Sequence, residues 1–241
     1  MRTDAREITS RRQHGFSLIE LMISLLILTI MIGVIVQAIN SATSRNTVER
    51  SKIDLTQETR EFMDQIVNDL DQAGFPGLNM FDPGSGVVAD CTVAADYNAA
   101  CGLISVSSSA IQFEGDVDGS GVSEEWIQLV QTNGSSTACS TLPCVIQRGT
   151  VSKAAWANGT GTSPVYYTEV NGVMNTNIFT AYYSDGTLVT LPATHAAGTL
   201  GNIAAIGITL YVQSPLADPK TGLFPTVTMV STAKISNKQN Y

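Results

Sequence analysis

Histidine is almost missing from this chain: His14 and His195 are the only two in 241 residues. Cysteine is scarce as well, with Cys91, Cys101, Cys139 and Cys144 set as two local pairs and no C-x-x-C. The donor spacing of a zinc site is therefore lacking. Charged residues are only 14% and aromatics 7%, and the net charge is −8, so no broad basic surface for nucleic acid is evident. No catalytic set stands out. His195 lies among small residues with no nucleophile motif around it, and reads as a solvated loop residue rather than a base. These absences argue against an enzyme.

What is plentiful, after residue 74, is Gly, Ser, Thr, Asn and Ala. That composition favours a β-rich domain with many turns and an extracellular character. If the domain is exported, Cys91–Cys101 and Cys139–Cys144 are the simplest disulfides among three possible pairings, and reduced core cysteines are the alternative.

The longest apolar run lies near the N-terminus. From Phe16 to Ile39 it is broken only by Ser17, Glu20, Ser24, Thr29 and Gln37. As a helix it would rise about 36 Å, enough to cross the hydrocarbon core of a membrane. Arg2, Arg6, Arg11 and Arg12 precede it against Asp4 and Glu7. Positive charge on that side predicts a cytoplasmic N-terminal end and an exported bulk. A cleaved secretory signal would have a shorter apolar core and a small-residue cleavage site, which is not evident. An ordinary signal anchor explains the flank and the length but not Glu20, since a carboxylate in such a segment is costly.

The stretch Gly15-Phe16-Ser17-Leu18-Ile19-Glu20 resembles the type IV prepilin family. The family pattern is a short basic leader ending in Gly, then Phe, then Glu at the fifth mature position, then about twenty apolar residues. The resemblance covers roughly residues 1–40. It implies cleavage by a prepilin peptidase between Gly15 and Phe16 and methylation of the new amino group of Phe16. It also gives Glu20 a purpose in subunit assembly. The α-amino group of one subunit and Glu20 of its neighbour would each be expensive alone in a low dielectric, and tolerable as a pair. A Glu snorkelling at the membrane face is the plain alternative.

Between Ser44 and Gln72 there is neither Pro nor Gly. Val48, Leu55, Phe62, Ile66 and Leu70 recur at helical spacing, widened by Met63 and Val67. The other face carries Arg50, Lys52, Asp54, Glu58, Arg60, Glu61, Asp64 and Asp69. The helix is expected to end at Ala73-Gly74-Phe75-Pro76. Beyond it, turn clusters separate short apolar runs. Expected strands are 103–106, 111–114, 126–131, 165–170, 178–183 and 187–191, with 206–212 and 227–235 forming an antiparallel hairpin across 214–224. The expected fold class is α+β: a long N-terminal helix, half membrane-type and half amphipathic, packed on a mainly antiparallel β-sheet. The divisions are a leader at 1–15, a transmembrane and polymerisation half at 16–40, an amphipathic half at 41–73 and a globular domain at 74–241.

One soluble segment invites a ligand. In "GDVDGSGVSEEW", Asp116, Asp118, Ser120 and Glu124 offer oxygens at spacings similar to those of a calcium loop. Ser stands where Asp or Asn is usual, and Ile127 occupies the twelfth loop position. A polar hairpin turn is the other reading. No cofactor beyond this possible calcium is expected. In "SPLADPKTGLFP", Asp218 and Lys220 read as part of a hairpin connection or as a contact to a neighbouring subunit.

Two further stretches, "DLTQETREFMDQIVNDLDQAGFPG" and "LYVQSPLADPKTGLFPTVTMVSTAKISN", are similar to PilW-type minor pilins. The resemblance implies a structural subunit that primes and assembles a type IV pilus. Its partners would be other minor and major pilins, the prepilin peptidase and the inner-membrane assembly platform. It would wait in the bacterial inner membrane as a single-pass protein with an exported C-terminal domain, then move to the pilus at the cell surface. A pseudopilin of type II secretion, and a membrane-anchored binding protein or hydrolase, are the alternatives.

Overall fold

A computed structural model describes residues 15, 17–77, 99–131, 137–157, 164–194 and 199–236. The chain divides into two compact units, Met1–Thr47 and Val48–Tyr241. One α-helix, α1, runs from Leu18 to Gln72. In the first unit it is apolar on nearly all sides as far as Ile39 and polar from Asn40 to Thr47, and every described side chain is exposed. Ser24 Oγ and Thr29 Oγ1 each donate to the carbonyl four residues back, Glu20 O and Leu25 O, at 2.8 Å. Their hydroxyls are thus satisfied inside the helix, which suits an apolar surrounding.

In the second unit α1 is amphipathic. Val48, Leu55, Phe62, Met63, Ile66 and Leu70 are buried. The helix stops where the sequence says it should: Gly74 takes φ +83°, a left-handed conformation that costs glycine little, and Pro76 comes two residues later.

The rest of the second unit is a nine-stranded antiparallel sheet. Its strands are β1 (Leu103–Val106), β2 (Ala110–Gly115), β3 (Ser123–Gln131), β4 (Cys144–Ser152), β5 (Val165–Val173), β6 (Phe179–Tyr183), β7 (Ala193–Thr194), β8 (Ile203–Gln213) and β9 (Thr226–Lys234). A short helix, α2 (Lys153–Ala157), comes after β4. The spatial order is β6-β8-β5-β4-β3-β2-β1-β7, with β9 added to β8. The fold class is therefore α+β, a long helix with an antiparallel sheet, as expected.

The late hairpin keeps one register without a shift, from Ala205 opposite Lys234 to Gln213 opposite Thr226. Ile206, Ile208, Leu210 and Val212 of β8 are fully buried, together with Ala233 of β9. They share one core with Phe62, Ile66 and Leu70 of α1 and with Phe113, Ile127 and Ile146 of the central strands. One apolar sheet face on one helix stripe is the simplest way for both to leave water.

Two strand expectations need correction. Residues 187–191 form no strand. Leu188 makes an isolated bridge to Tyr182, and Val189 N donates to Ala181 O at 2.8 Å. Pro192, which has no N–H, cannot extend such a ladder. Conversely, Cys144–Ser152 is a central strand that the pattern did not suggest. Its sequence CVIQRGTVS carries Arg148 and Gly149 in the middle. Gly149 is needed there because a Cβ would come within 2.7 Å of the Tyr166 ring.

Candidate functional site

The N-terminal segment is built for exposure. Gly15 is exposed, and a side chain added there would meet nothing within 4 Å. Phe16 and His14 lie outside the described residues. Ser17 O accepts hydrogen bonds from Glu20 N at 3.0 Å and Leu21 N at 3.2 Å, so the helix starts immediately after Ser17. Glu20 lies in the first turn and is exposed. A carboxylate there faces the positive end of the helix dipole, which favours it locally. Beyond it, Leu21 to Ile39 presents large apolar side chains that are half or more exposed, such as Leu26 at 62% and Ile30 at 59%. Nothing in its own unit covers this surface. The helix is long and apolar enough to cross a membrane.

The arrangement offers three things in line: an exposed Gly15, a helix that begins within a few residues of it, and a carboxylate in the first turn of a largely apolar rod. None of these is a catalytic constellation.

The cysteines are oxidised where described. Cys139 and Cys144 form a disulfide with Cα atoms 5.9 Å apart. Cys101 is disulfide-bonded as well. Cys91, its expected partner, lies outside the described residues, as does His195.

The acidic loop is spent on its own turn. Asp118 Oδ1 accepts from Ser120 N at 2.9 Å and Asp116 Oδ1 accepts from Gly121 N at 3.0 Å. Hydrogen bonds with Ser120 hold the Asp118 carboxyl below its ordinary range. Glu124 points elsewhere: it is buried on β3 and accepts from Gln112 Nε2 at 2.9 Å. Among the described residues no group of three His, Cys, Asp or Glu is placed to hold a metal ion. In "SPLADPKTGLFP", Asp218 Oδ1 accepts from Lys220 N at 2.8 Å, and Asp218 N donates to Leu223 O at 2.8 Å, as in a tight connection.

Sequence reasoning missed two buried charge clusters. Asp69, expected on the polar face of the helix, is only 4% exposed. Its Oδ2 lies 2.6 Å from Arg148 Nη1, which joins α1 to β4. Glu125 Oε2 stands 3.7 Å from the same nitrogen and accepts from Thr150 Oγ1 at 2.7 Å. Glu169 Oε1 is 3.6 Å from Arg148 Nε. One guanidinium thus faces three carboxylates. Burial pushes the carboxyls of Asp69 and Glu125 up. Arg148 opposes the rise in Asp69; in Glu125 the hydrogen bond from Thr150, together with the charge of Arg148, opposes it.

The second cluster sits on the other face of the sheet. Lys153 Nζ lies 2.8 Å from Glu114 Oε2 and donates to Ala99 O at 2.7 Å. The same Glu114 oxygen accepts from Cys101 N at 2.9 Å. The pair therefore fixes the chain around Cys101. Glu124 is directly across from Glu114 in the β2–β3 register. Burial and the charge of Glu114 push its pKa up to about 7. The available signal was the pair Glu124-Glu125 inside a strand-like run before Trp126. Two adjacent carboxylates on a strand face opposite sides, so a strand buried on both sides must bury both.

Comparison with known proteins bears on the N-terminal segment. Residues 10–36 match the family model described as the prokaryotic N-terminal methylation motif. The matched span takes in Gly15, Phe16, Glu20 and most of the exposed apolar helix. It supports a type IV pilin-like protein, prepared by a prepilin peptidase for assembly. No curated protein and no solved structure matched the chain.

Proposed function

We propose that this chain is a minor pilin, a structural subunit that helps prime and assemble a type IV pilus. The observation that carries the reading is the unburied apolar helix from Leu18 onward, with Glu20 in its first turn and the methylation motif around it. A rod that is apolar on all sides and uncovered by its own chain needs lipid or other apolar helices. Lipid serves before assembly; neighbouring subunits serve afterwards. The chain therefore waits in the inner membrane, with its β domain exported, and leaves when equivalent helices replace the lipid.

Cleavage between Gly15 and Phe16 creates a new α-amino group near Glu20. In the bundle, the amino group of an incoming subunit neutralises Glu20 of its neighbour and sets the axial register. The two-unit organisation and the size of the β domain support a larger, minor subunit resembling the PilW type. Other minor pilins, the major pilin and the assembly platform are its partners on this reading.

Intact mass and N-terminal sequencing of the protein from native membranes or sheared fibres tests it. A mature chain that begins at methylated Phe16 is expected. A chain still beginning at Met1 beside an active peptidase would overturn the reading. Recovery with a secretion apparatus, and never with pili, would instead make it a type II secretion pseudopilin.

A further inference from the structure

The edges of the sheet are of unequal kind. At one end β7 is two residues long and follows Pro192. Beside β6 the chain closes back on itself, with Leu188 bridged to Tyr182 and Val189 N donating to Ala181 O at 2.8 Å. Short strands, proline and covering turns are the usual protection of a sheet edge against pairing with another chain. β9 has none of them. It is nine residues long, contains no proline, keeps its register with β8 without a bulge and carries one charge, Lys234, at its end. Among the described residues it pairs with β8 alone.

The hydrogen bonds show which backbone groups are left over. Ser214 N donates to Pro225 O at 2.8 Å, and Ile235 N donates to Ala204 O at 2.9 Å. Both pairs continue the β8–β9 register, and hydrogen-bonded pairs alternate along antiparallel strands. Val227, Met229, Ser231 and Ala233 therefore bond to β8, while Thr228, Val230 and Thr232 turn their N–H and C=O groups away from it. Thr209, opposite Val230, agrees with this parity. Its N–H goes to Ile178 O at 2.9 Å and its C=O accepts from Asn175 Nδ2 at 2.8 Å, both on the far side of β8. The side chains match the open edge. Thr228, Val230 and Thr232 are exposed, Val230 at 70%, and Val227 and Met229 pack against the core but are only partly buried. A strand laid alongside would satisfy the backbone row and complete the cover over Val227 and Met229.

We propose that β9 accepts a strand from an unlike chain: an extended segment, apolar at alternate positions, without proline and without an excess of acid. The backbone row dictates the extended conformation, since only another extended backbone presents N–H and C=O groups at the same spacing. Val227 and Met229 dictate the alternation. Charge argues against a second copy. Residues 48–241 hold eight Lys and Arg against eighteen Asp and Glu, so two such units laid edge to edge repel. Each subunit has one such edge, and a single neighbour completes it. The contact rests on the reading as a minor subunit among other pilins and gives that reading a specific interface.

Site-resolved amide exchange on the full chain tests the proposal, comparing chain purified in detergent with chain in native membranes or sheared fibres. The amides of Thr228, Val230 and Thr232 should exchange freely in detergent and about a hundredfold more slowly in the assembled sample, while those of Met229 and Ser231 are slow in both. Val230→Pro removes an outward N–H and leaves the β8 ladder whole. It should lower incorporation into fibres about tenfold at an unchanged unfolding temperature, and Val230→Thr should incorporate normally.

Outward amides that stay fast in fibres would overturn the contact, as would normal incorporation of a folded Val230→Pro chain. Outward amides already slow in detergent would overturn it too, by placing the cover within the chain itself. Covalent homodimers of Val230→Cys, formed in fibres with a short bis-maleimide, would overturn the unlike partner and make β9 a self-pairing edge. Chains that start at methylated Phe16 and lie in fibres with β9 open would leave the pilin reading intact. Protected outward amides on membrane chains that keep Met1 would do the reverse, sinking the prepilin reading while the contact stands.

Discussion

Between Leu18 and Thr47 α1 buries no residue. Between Val48 and Gln72 it buries Val48, Leu55, Thr59, Phe62, Met63, Ile66, Asp69 and Leu70. One helix, with no Pro or Gly at the transition, therefore meets two solvents. In the second unit the helix takes part in an ordinary folded core, where one stripe is apolar and the rest faces water. In the first unit, from Leu21 to Ile39, nearly every side is apolar and nothing in that unit covers it. An apolar residue means stability of the fold in one half and affinity for lipid or neighbours in the other. The same substitution should then have quite different consequences at the two ends.

The sharpest contrast is Phe62→Ala against Leu25→Ala. Phe62 is 1% exposed in the main core, and its loss should cost about 3–5 kcal/mol of domain stability. Denaturant unfolding of the full chain in detergent, followed by near-ultraviolet circular dichroism, measures this. Equal stability of the Phe62→Ala and unmodified domains would mean that the helix stripe is not part of the core.

Arg148→Met should come close behind, at about 3–5 kcal/mol, because it leaves Asp69 and Glu125 buried without their cation. Adding Asp69→Asn should recover a large part of the loss. If the double variant is no better than the single one, the coupling between α1 and β4 is not electrostatic.

A smaller effect should appear on titration. Glu124 keeps its proton up to about pH 7 in the folded state, against an ordinary value of 4.5. The folded state therefore binds the extra proton between those values. The contribution of Glu124 to stability is therefore greatest at low pH and falls as pH rises through that window, by roughly 1–3 kcal/mol. Asp69 and Glu125, raised in the same direction, add to the slope. Glu124→Gln should flatten the curve between about pH 5 and pH 8, and an unchanged slope would remove Glu124 as its source.

The smallest change in domain stability, within about 0.5 kcal/mol, is expected for Leu25→Ala and Glu20→Ala. Both are exposed and belong to the first unit. Glu20→Ala should nonetheless abolish incorporation into fibres while Phe16 is still processed. Normal incorporation would return Glu20 to a residue snorkelling at the membrane face.

Reading the sequence went furthest where the physics is local. The apolar run, the amphipathic stripe and the Gly74-Pro76 stop are one-dimensional patterns, and they placed α1 to within a residue or two. The β8–β9 hairpin was visible because period-two alternation is itself the signature of a half-buried strand. Strand β4 was not visible. Arg148 and Gly149 break its pattern, and each is explained only by something distant in sequence: the carboxylate of Asp69 and the ring of Tyr166. Asp69 was misplaced for the same reason, since a helical wheel gives a residue's angle but not which neighbours approach it.

The sequence by itself therefore determined the two characters of the long helix, the position of Gly15, Phe16 and Glu20 in the methylation motif, and the β-rich nature of the chain beyond Pro76. Each depends on residues near one another along the chain. Only the tertiary structure decided that Asp69, Glu114, Glu124, Glu125, Arg148 and Lys153 are buried, and that Leu55 and Glu58 share a groove with Phe224. Those facts depend on which strands become neighbours, and a buried charge is tolerable only once the partner that neutralises it has been brought alongside.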